Sequence, residues 1–423
     1  MAFEIASVHA QEILDSRSRP TLSVRVTLTG GAAGIAGVPS GASTGTREAV
    51  ELRDGDPTRY GGAGVTGAVG NVNGEIADAL AGRSVEDLAA LDRLVIDLDG
   101  TDAKRRLGAN AIVGVSMAAA RAMAAAHGQA LYRFLAPDGV EARLPVPCFN
   151  VINGGRHAAN RLQPQEFMVC PLGAPTFAEA LRAGAEVYAA LSSRLQAAGL
   201  AVGLGDEGGF APELATTEEA LDVLVAAIAD AGYTPGRAGV AIALDPAASE
   251  FRGDDGRYTL VTGDATLSSA ELVDRWAGLL DRYPIWSLED GLGEDDTDGW
   301  RLLTERLGDR IQLVGDDNFV TNPAIIAAAI DDGIANAALI KLNQIGTVTE
   351  TLEAMRLCRD AGYGQMVSHR SGETTDTFIA DLTVATGCGQ LKSGAPARGE
   401  RVAKYNRLVE IEAELGAVPY GLP

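Results

Sequence analysis

The sequence predicts an α/β protein, a β/α barrel preceded by a small α+β domain. Eight short apolar, strand-like runs carry the barrel, at 146–152, 166–170, 240–245, 285–289, 311–316, 338–341, 365–369 and 389–392. From 240 onward they alternate with helix-like segments at a period of roughly 25 to 45 residues. Eight parallel strands are the number that closes a barrel. The last six runs also end on a charged or titratable residue: Asp245, Glu289, Asp316, Lys341, His369 and Lys392. In a β/α barrel the C-terminal strand ends form the mouth where active sites lie, so these six side chains are expected to converge.

Taken in order, residues 3 to about 38 alternate apolar and polar positions with a turn at Gly30-Gly31, the pattern of an antiparallel meander. Residues 64–128 are Ala-rich and amphipathic and read as helices broken near Asp97–Gly100. These segments make a first domain over 1–136, with a mobile loop at 40–45. A linker around Pro137-Asp138-Gly139 leads to a barrel domain over 143–423. The barrel starts irregularly: two strand runs precede two helical segments, at 177–199 and 217–231, before the regular alternation begins.

A chain of 423 residues can bury a large core, and its 46% hydrophobic and 22% charged content is that of a globular protein. A formal net charge of -22 argues against nucleic acid as a partner, because phosphate backbones are bound by concentrated basic surface. It allows a small anionic substrate in a pocket made locally positive by a few cations. Cys148, Cys170, Cys358 and Cys388 have neither metal-site nor disulfide-scaffold spacing, which suits a reducing cytoplasm. Glu4 and Glu12 interrupt what a signal peptide needs to be apolar, and apolar stretches such as AIVGVSMAAA fall short of the ~18 residues of a membrane span. No membrane association is expected.

Three carboxylates from successive strand ends, Asp245, Glu289 and Asp316, suit a hard divalent cation such as Mg²⁺ with positions left for water or substrate. A single strand-end acid is usually only a solvated loop residue; three in succession, followed by two lysines, are not. Lys341 and Lys392 are poor bases at an ordinary pKa, but a second ammonium, a dication and burial each lower it, and a neutral amine then removes a proton. Protons α to a carboxylate are weakly acidic, and the Lys-plus-Mg²⁺ pattern serves their abstraction. Gly203–Gly209 and Gly62–Gly67 both match GxGxxG, yet the first carries Asp206 and Glu207 where a pyrophosphate would sit, and no strand precedes the second. The better reading of 203–209 is a flexible loop presenting Glu207 as a general acid. The hydroxyl-rich loop Ser40–Gly45 is either a linker or a lid offering Ser43 to a metal or phosphate. His157 sits in a glycine-hinged loop with Gln165 and Glu166 close behind, and His369-Arg370-Ser371 groups donors suited to a phosphate or carboxylate.

Together these segments resemble the enolase family over nearly the whole chain: PSGASTG, ELRDGD, LGANAI, QEFM, GDEGGFAP, LEDGL, LIKLNQIGT, SHRSGET, GAPAR and RVAKYN occur in order. The resemblance implies an enolase-type barrel with an irregular ββαα start, capped by an N-terminal α+β domain. It implies two Mg²⁺ per active site, the first on Asp245, Glu289 and Asp316 and the second helped by Ser43. Lys341 would be the base at C2 and Glu207 the acid for the C3 hydroxyl, with Glu166 alongside. His157, Arg370 and Ser371 would meet phosphate, and His369 and Lys392 the carboxylate end or its metal. The reaction would be the glycolytic conversion of 2-phosphoglycerate to phosphoenolpyruvate and water, in a cytoplasmic homodimer or homo-octamer.

Several positions depart from the family pattern. Ser18 and Arg19 replace Gly and Asn, Arg156 and Arg161 enter the His157 loop, Asn318 stands two residues past Asp316, and Thr375 replaces an acid. If residues 316–318 are extended, Asn318 shares the face of Asp316. The added positive charge suggests an alternative: a paralog of phosphonate antibiotic biosynthesis, like carboxyphosphonoenolpyruvate synthase, performing the same elimination on a more anionic substrate, with Arg156 and Asn318 among the substrate-binding residues. A non-catalytic binding or structural role is a further alternative, but it gives the catalytic set no purpose.

Overall fold

The structure is a computed structural model that describes residues 3–42, 44–260 and 265–423. The meander expected at the N-terminus is present as Phe3–Leu14, Pro20–Leu28 and Ala33–Gly37, and a short strand the sequence reading did not anticipate, Ser84–Val85, pairs with the first. Alternate strand residues such as Val24, Val26 and Ala36 are buried against the helix Ala109–Ala126. The approach is close. A Cβ on Gly34 would stand 2.1 Å from the Ala118 carbonyl oxygen, so only glycine fits there. That helix is long and apolar enough, at 18 residues, to cross a membrane, which corrects the expectation that no stretch is; its burial within the fold accounts for its composition.

All eight expected barrel strands are present: Val146–Asn153, Glu166–Cys170, Ala241–Asp245, Ile285–Glu289, Gln312–Gly315, Ala337–Ile340, Gly364–Ser368 and Gln390–Lys392. They close in sequence order, the eighth pairing with the first. The second strand alone runs antiparallel to its neighbours. A parallel return needs a crossover of a dozen residues or more, usually a helix, whereas the connection between strands one and two holds only the single turn Gly155–His157. The irregular start follows. Strand two ends at the floor of the barrel, so the helix Phe177–Ala197 carries the chain up to the mouth and Thr217–Asp230 brings it back down before strand three. Side-chain oxygens of Thr176, Thr216, Ser268, Asp296, Asn322 and Thr347 cap the helices they precede, each satisfying a backbone N–H that the helix start leaves free.

Val146, Cys148, Met168, Cys170, Trp286, Val314 and Met366 fill the barrel interior, so its floor is a packed core and not a pore. The first domain is tied to the barrel near the mouth by buried polar contacts. Asp376 accepts hydrogen bonds from Arg121 and from the Gly37 N–H, Asp92 accepts from Thr349, and Glu48 pairs with Arg370.

Candidate active site

Each of the six strand-end residues lies at the barrel mouth and each is at least nine-tenths buried. Asp245, Glu289 and Lys392 are the last residues of strands three, four and eight, while Asp316, Lys341 and His369 follow strands five, six and seven. Glu166 joins them from the start of strand two. Because that strand is reversed, its first residue is at the mouth, directly opposite Asp245 in the register.

The Lys392 ammonium is 2.6 Å from Glu289 Oε1, 3.2 Å from Glu166 Oε1 and 3.6 Å from Asp245 Oδ2. Lys341 Nζ lies 2.5 Å from Asp316 Oδ2, whose second oxygen accepts from Gln344 Nε2 at 2.8 Å. Glu289 Oε2 and Glu166 Oε2 are buried without a hydrogen-bond partner among the described residues. A carboxylate oxygen withdrawn from water and left unpaired costs free energy unless a donor or cation meets it. The oxygen-rich set of Asp245, Glu289 and Asp316, with that orphaned oxygen, therefore suits a hard divalent ion. Two groups of side chains bring ligand atoms within 4.8 Å of one another: His157, Glu166 and Glu207, and Asp290, Asp316 and Asp317, so that of the three strand-end carboxylates Asp316 is the one that belongs to such a group among the described residues. Asp290 accepts from the N–H groups of both Asp316 and Asp317, which orients the Asp316 turn.

Electrostatics in this cluster follow from burial and pairing. Burial, the charge of Glu207 and that of Glu289 push Glu166 up to about 8 against the pull of Lys392. Burial and like charge also raise Asp245 to about 7 and Glu289 to about 8. The lysines go the other way from the sequence expectation. Burial is the largest single effect and opposes their charge, but Asp316 and Glu289 acting together raise Lys341, and the carboxylates of Glu166, Glu289 and Asp245 raise Lys392 further. The mutual repulsion of the two ammonium groups is the smaller effect, because each is flanked by acids.

The loop 203–210 folds over the mouth. Burial alone would raise Glu207, yet His157, His369 and Arg401 hold it well below the ordinary range. His369 Nε2 is 3.1 Å and Asn150 Nδ2 3.0 Å from its Oε2, and His157 Nε2 is 3.5 Å from its Oε1. His157 Nε2 also lies 3.1 Å from Ser371 Oγ. Arg370 grips Glu48 of the first domain through both terminal nitrogens, at 3.0 and 3.1 Å. One cavity is lined by His157, Gln165, Glu166, Glu207, Lys341 and Lys392, with the His369–Ser371 segment on its wall.

Other candidates are not brought into this cluster. Arg156 donates from Nε to Glu250 at 2.6 Å and its side chain is 58% exposed. Arg19, Arg161 and Thr375 are exposed. Asn318 is buried in a separate cavity with Arg47, Glu294, Trp300 and Phe319. Residues 316–320 are not extended: the N–H groups of Phe319 and Val320 both bond the Asp316 carbonyl, so the two-residue spacing that would aim Asn318 at the site does not apply. Ser43 lies outside the described residues. Conversely, Glu48, Asn150, Asp290, Gln344 and Arg401 touch site residues and escaped the sequence reading, though Asp290, Gln344 and Arg401 sit inside LEDGL, LIKLNQIGT and RVAKYN.

The family model for the enolase C-terminal TIM barrel domain matches residues 141–420, and that for the enolase N-terminal domain matches residues 5–135. The chain is similar to the protein named enolase from Rubrobacter xylanophilus, at 58% identity over 413 residues that span 98% of this chain and 95% of that protein. With matched domains on both sides of the linker and a close relative along nearly its full length, the chain belongs to the enolase family, whose activity is that of a carbon–oxygen hydro-lyase.

Proposed function

We propose that the chain converts 2-phosphoglycerate to phosphoenolpyruvate and water by a Mg²⁺-dependent elimination. The observation that carries the reading is the opposition of base and acids across the mouth. Lys341 follows strand six and Glu166 begins strand two, four positions apart in an eight-stranded ring and so on facing walls. Lys341 removes the C2 proton from one side, and the Glu166–Glu207 pair assists departure of the C3 hydroxyl from the other. Of these two acids Glu166, raised to about 8, holds a proton at neutral pH, while Glu207 is ionised and orients His157 and His369.

Asp245, Glu289 and Asp316 would hold one Mg²⁺, and Ser43, in a 40–45 lid that closes from the first domain, would help hold a second. Bound there, the cations would supply positive charge beside the substrate carboxylate, and Asp316, shared with a cation, would hold the Lys341 proton less tightly and favour the neutral amine. Arg370, Ser371 and His157 present donors to the phosphate, Lys392 and His369 to the carboxylate end, and Gln165 lines the same pocket. The enzyme is read as a cytoplasmic homodimer or homo-octamer with 1–136 and 143–423 as its domains.

The alternative of a more anionic substrate rested on the added arginines, and it is not favoured: Arg156 is engaged by Glu250, and Arg19 and Arg161 face solvent. The test is phosphoenolpyruvate formation with and without Mg²⁺, together with solvent exchange at C2. Lys341→Ala is expected to abolish exchange while Mg²⁺ binding, followed by calorimetry, persists. Exchange retained in that variant would remove Lys341 as the base, and no turnover of 2-phosphoglycerate by the native protein would reject the substrate.

A further inference from the structure

Arg401, on the helix Gly399–Leu415, is fully buried behind the wall of the active site. Its Nη1 lies 2.5 Å from His369 Nδ1 and 2.7 Å from the Arg370 carbonyl oxygen. Its Nη2 reaches the carbonyl oxygens of Ser371 at 2.6 Å and Asp206 at 3.1 Å, and Ser16 Oγ at 3.3 Å. One side chain thus joins the segment 369–371 to the loop that carries Glu207 and to the first domain. A guanidinium has donors only and does not give up its proton in a protein. His369 Nδ1 must therefore offer its lone pair, and the single ring proton sits on Nε2, facing Glu207 Oε2 at 3.1 Å.

We propose that Arg401 is a positioning residue for the elimination: it fixes His369 as the neutral Nε2–H tautomer, a permanent hydrogen-bond donor to Glu207 and not a carrier of protons. A second proton on the ring has to displace Arg401 from Nδ1. The charged groups facing the ring divide unequally. Burial opposes the imidazolium, Glu207 favours it, and Arg401 and Lys392 oppose it; the balance pulls His369 down to about 3. The function of this lock is to keep Glu207 ionised and aimed, since a ring that lost its Nε2 proton would leave the buried carboxylate without that donor. The kinetic part of this inference rests on the elimination proposed above, while the tautomer itself does not.

The test is nitrogen-15 NMR of histidine side chains in the full-length protein, with kcat and KM measured against pH. The chain has four histidines, and His369→Gln assigns the signal. His369 is expected to show the Nε2–H tautomer without titrating between about pH 5.5 and 8.5. In Arg401→Met the fixed Nε2–H tautomer should be lost and the His369 pKa should move up from about 3, burial still opposing the charge, and kcat should fall about tenfold toward acidic pH, KM changing less. Arg401→Lys preserves charge and one donor and is the fallback if the methionine variant does not fold; it should show the same change, weaker. Lys404→Met, which loosens the same helix through its contacts with Glu373 and Thr374, should leave the His369 signal alone. A native His369 that titrates in this range or carries its proton on Nδ1 overturns the inference, as does an unchanged signal and pH profile in the Arg401 variants. Absence of turnover on 2-phosphoglycerate would count against the substrate only, because the NMR result stands apart from it.

Discussion

Replacing Asp376 by Asn should loosen the joint between the two domains by a calculable amount. Asp376 Oδ2 accepts from the Gly37 N–H at 2.9 Å and from Arg121 Nη1 at 2.5 Å, while Oδ1 accepts from Arg121 Nη2 and the Phe378 N–H, both at 2.8 Å. Every lone-pair direction is used by a donor. In Asp376→Asn, whichever way the amide is turned, an NH₂ group meets two donors, so two hydrogen bonds are lost together with the charge that neutralises Arg121. Removing one partner of a buried pair costs about 3–5 kcal/mol. Arg121 keeps the Ile35 carbonyl as an acceptor and its side chain is 20% exposed, so water offsets part of the loss and the lower figure, about 3 kcal/mol, is the better expectation. A cooperative transition of 423 residues has an unfolding entropy of about 0.9 kcal/mol/K, so the melting temperature should fall by about 3 °C.

The pH dependence gives this prediction a second edge. Burial pushes the Asp376 carboxyl up, but the charge and hydrogen bonds of Arg121, with the N–H groups of Gly37 and Phe378, bring it below its ordinary value of 3.8. A depressed carboxylate stabilises the fold above its unfolded pKa and loses that contribution only as pH falls through the folded one. The gap between native protein and Asp376→Asn, read by thermal scanning, should be constant from about pH 8 to 5 and shrink only below about pH 4. Combining it with Arg121→Met should cost less than the sum of the two by at least about 1 kcal/mol, since no lone cation remains. A shift under about 1 °C, or a gap that closes between pH 7 and 5, would refute the account of this joint.

Two further outcomes test other parts of the reasoning. Asp92 is buried between the first domain and the start of helix Val348–Asp360, where burial outweighs its hydrogen bonds with Thr349 and Ser116 and pushes it up to about 6 from 3.8; a raised carboxyl favours the fold at low pH and loses that as pH rises through about 6, so Asp92→Asn should gain on the native protein by up to about 3 kcal/mol between pH 4 and 7, measured by urea denaturation, and a gap independent of pH would contradict it. Arg156→Glu should leave kcat/KM on 2-phosphoglycerate within about threefold, because the residue is a rim partner of Glu250; a loss beyond about tenfold means that the arginine reaches the substrate and revives the more anionic alternative.

The legible and illegible parts of the site differ in their physical origin. Asp245, Glu289 and Lys392 could be read because each ends an apolar run whose period fixes it at one rim of the barrel. Glu166 obeys the same geometry in reverse: it begins its strand, and only the reversal of strand two, joined to strand one through the single turn Gly155–His157, brings it to the mouth. Arg401 and Glu48 have no such periodic signature. They meet His369 and Arg370 across 32 and 322 residues of sequence, and nothing local to a buried arginine names the carbonyls it will bridge. Asn318 makes the same point from the other side. Two-residue spacing predicts a shared face only while the backbone stays extended, and here Val320 and Thr321 take positive φ values of 44° and 54° as the chain turns after Asp316. The side chain is thereby carried into a neighbouring cavity beside Arg47, whose Nη2 donates to the Asn318 carbonyl at 2.6 Å. Divergence at Asn318 therefore bears on how the first-domain loop meets the barrel, while the cavity lined by Glu166, Glu207, Lys341 and Lys392 is a different one.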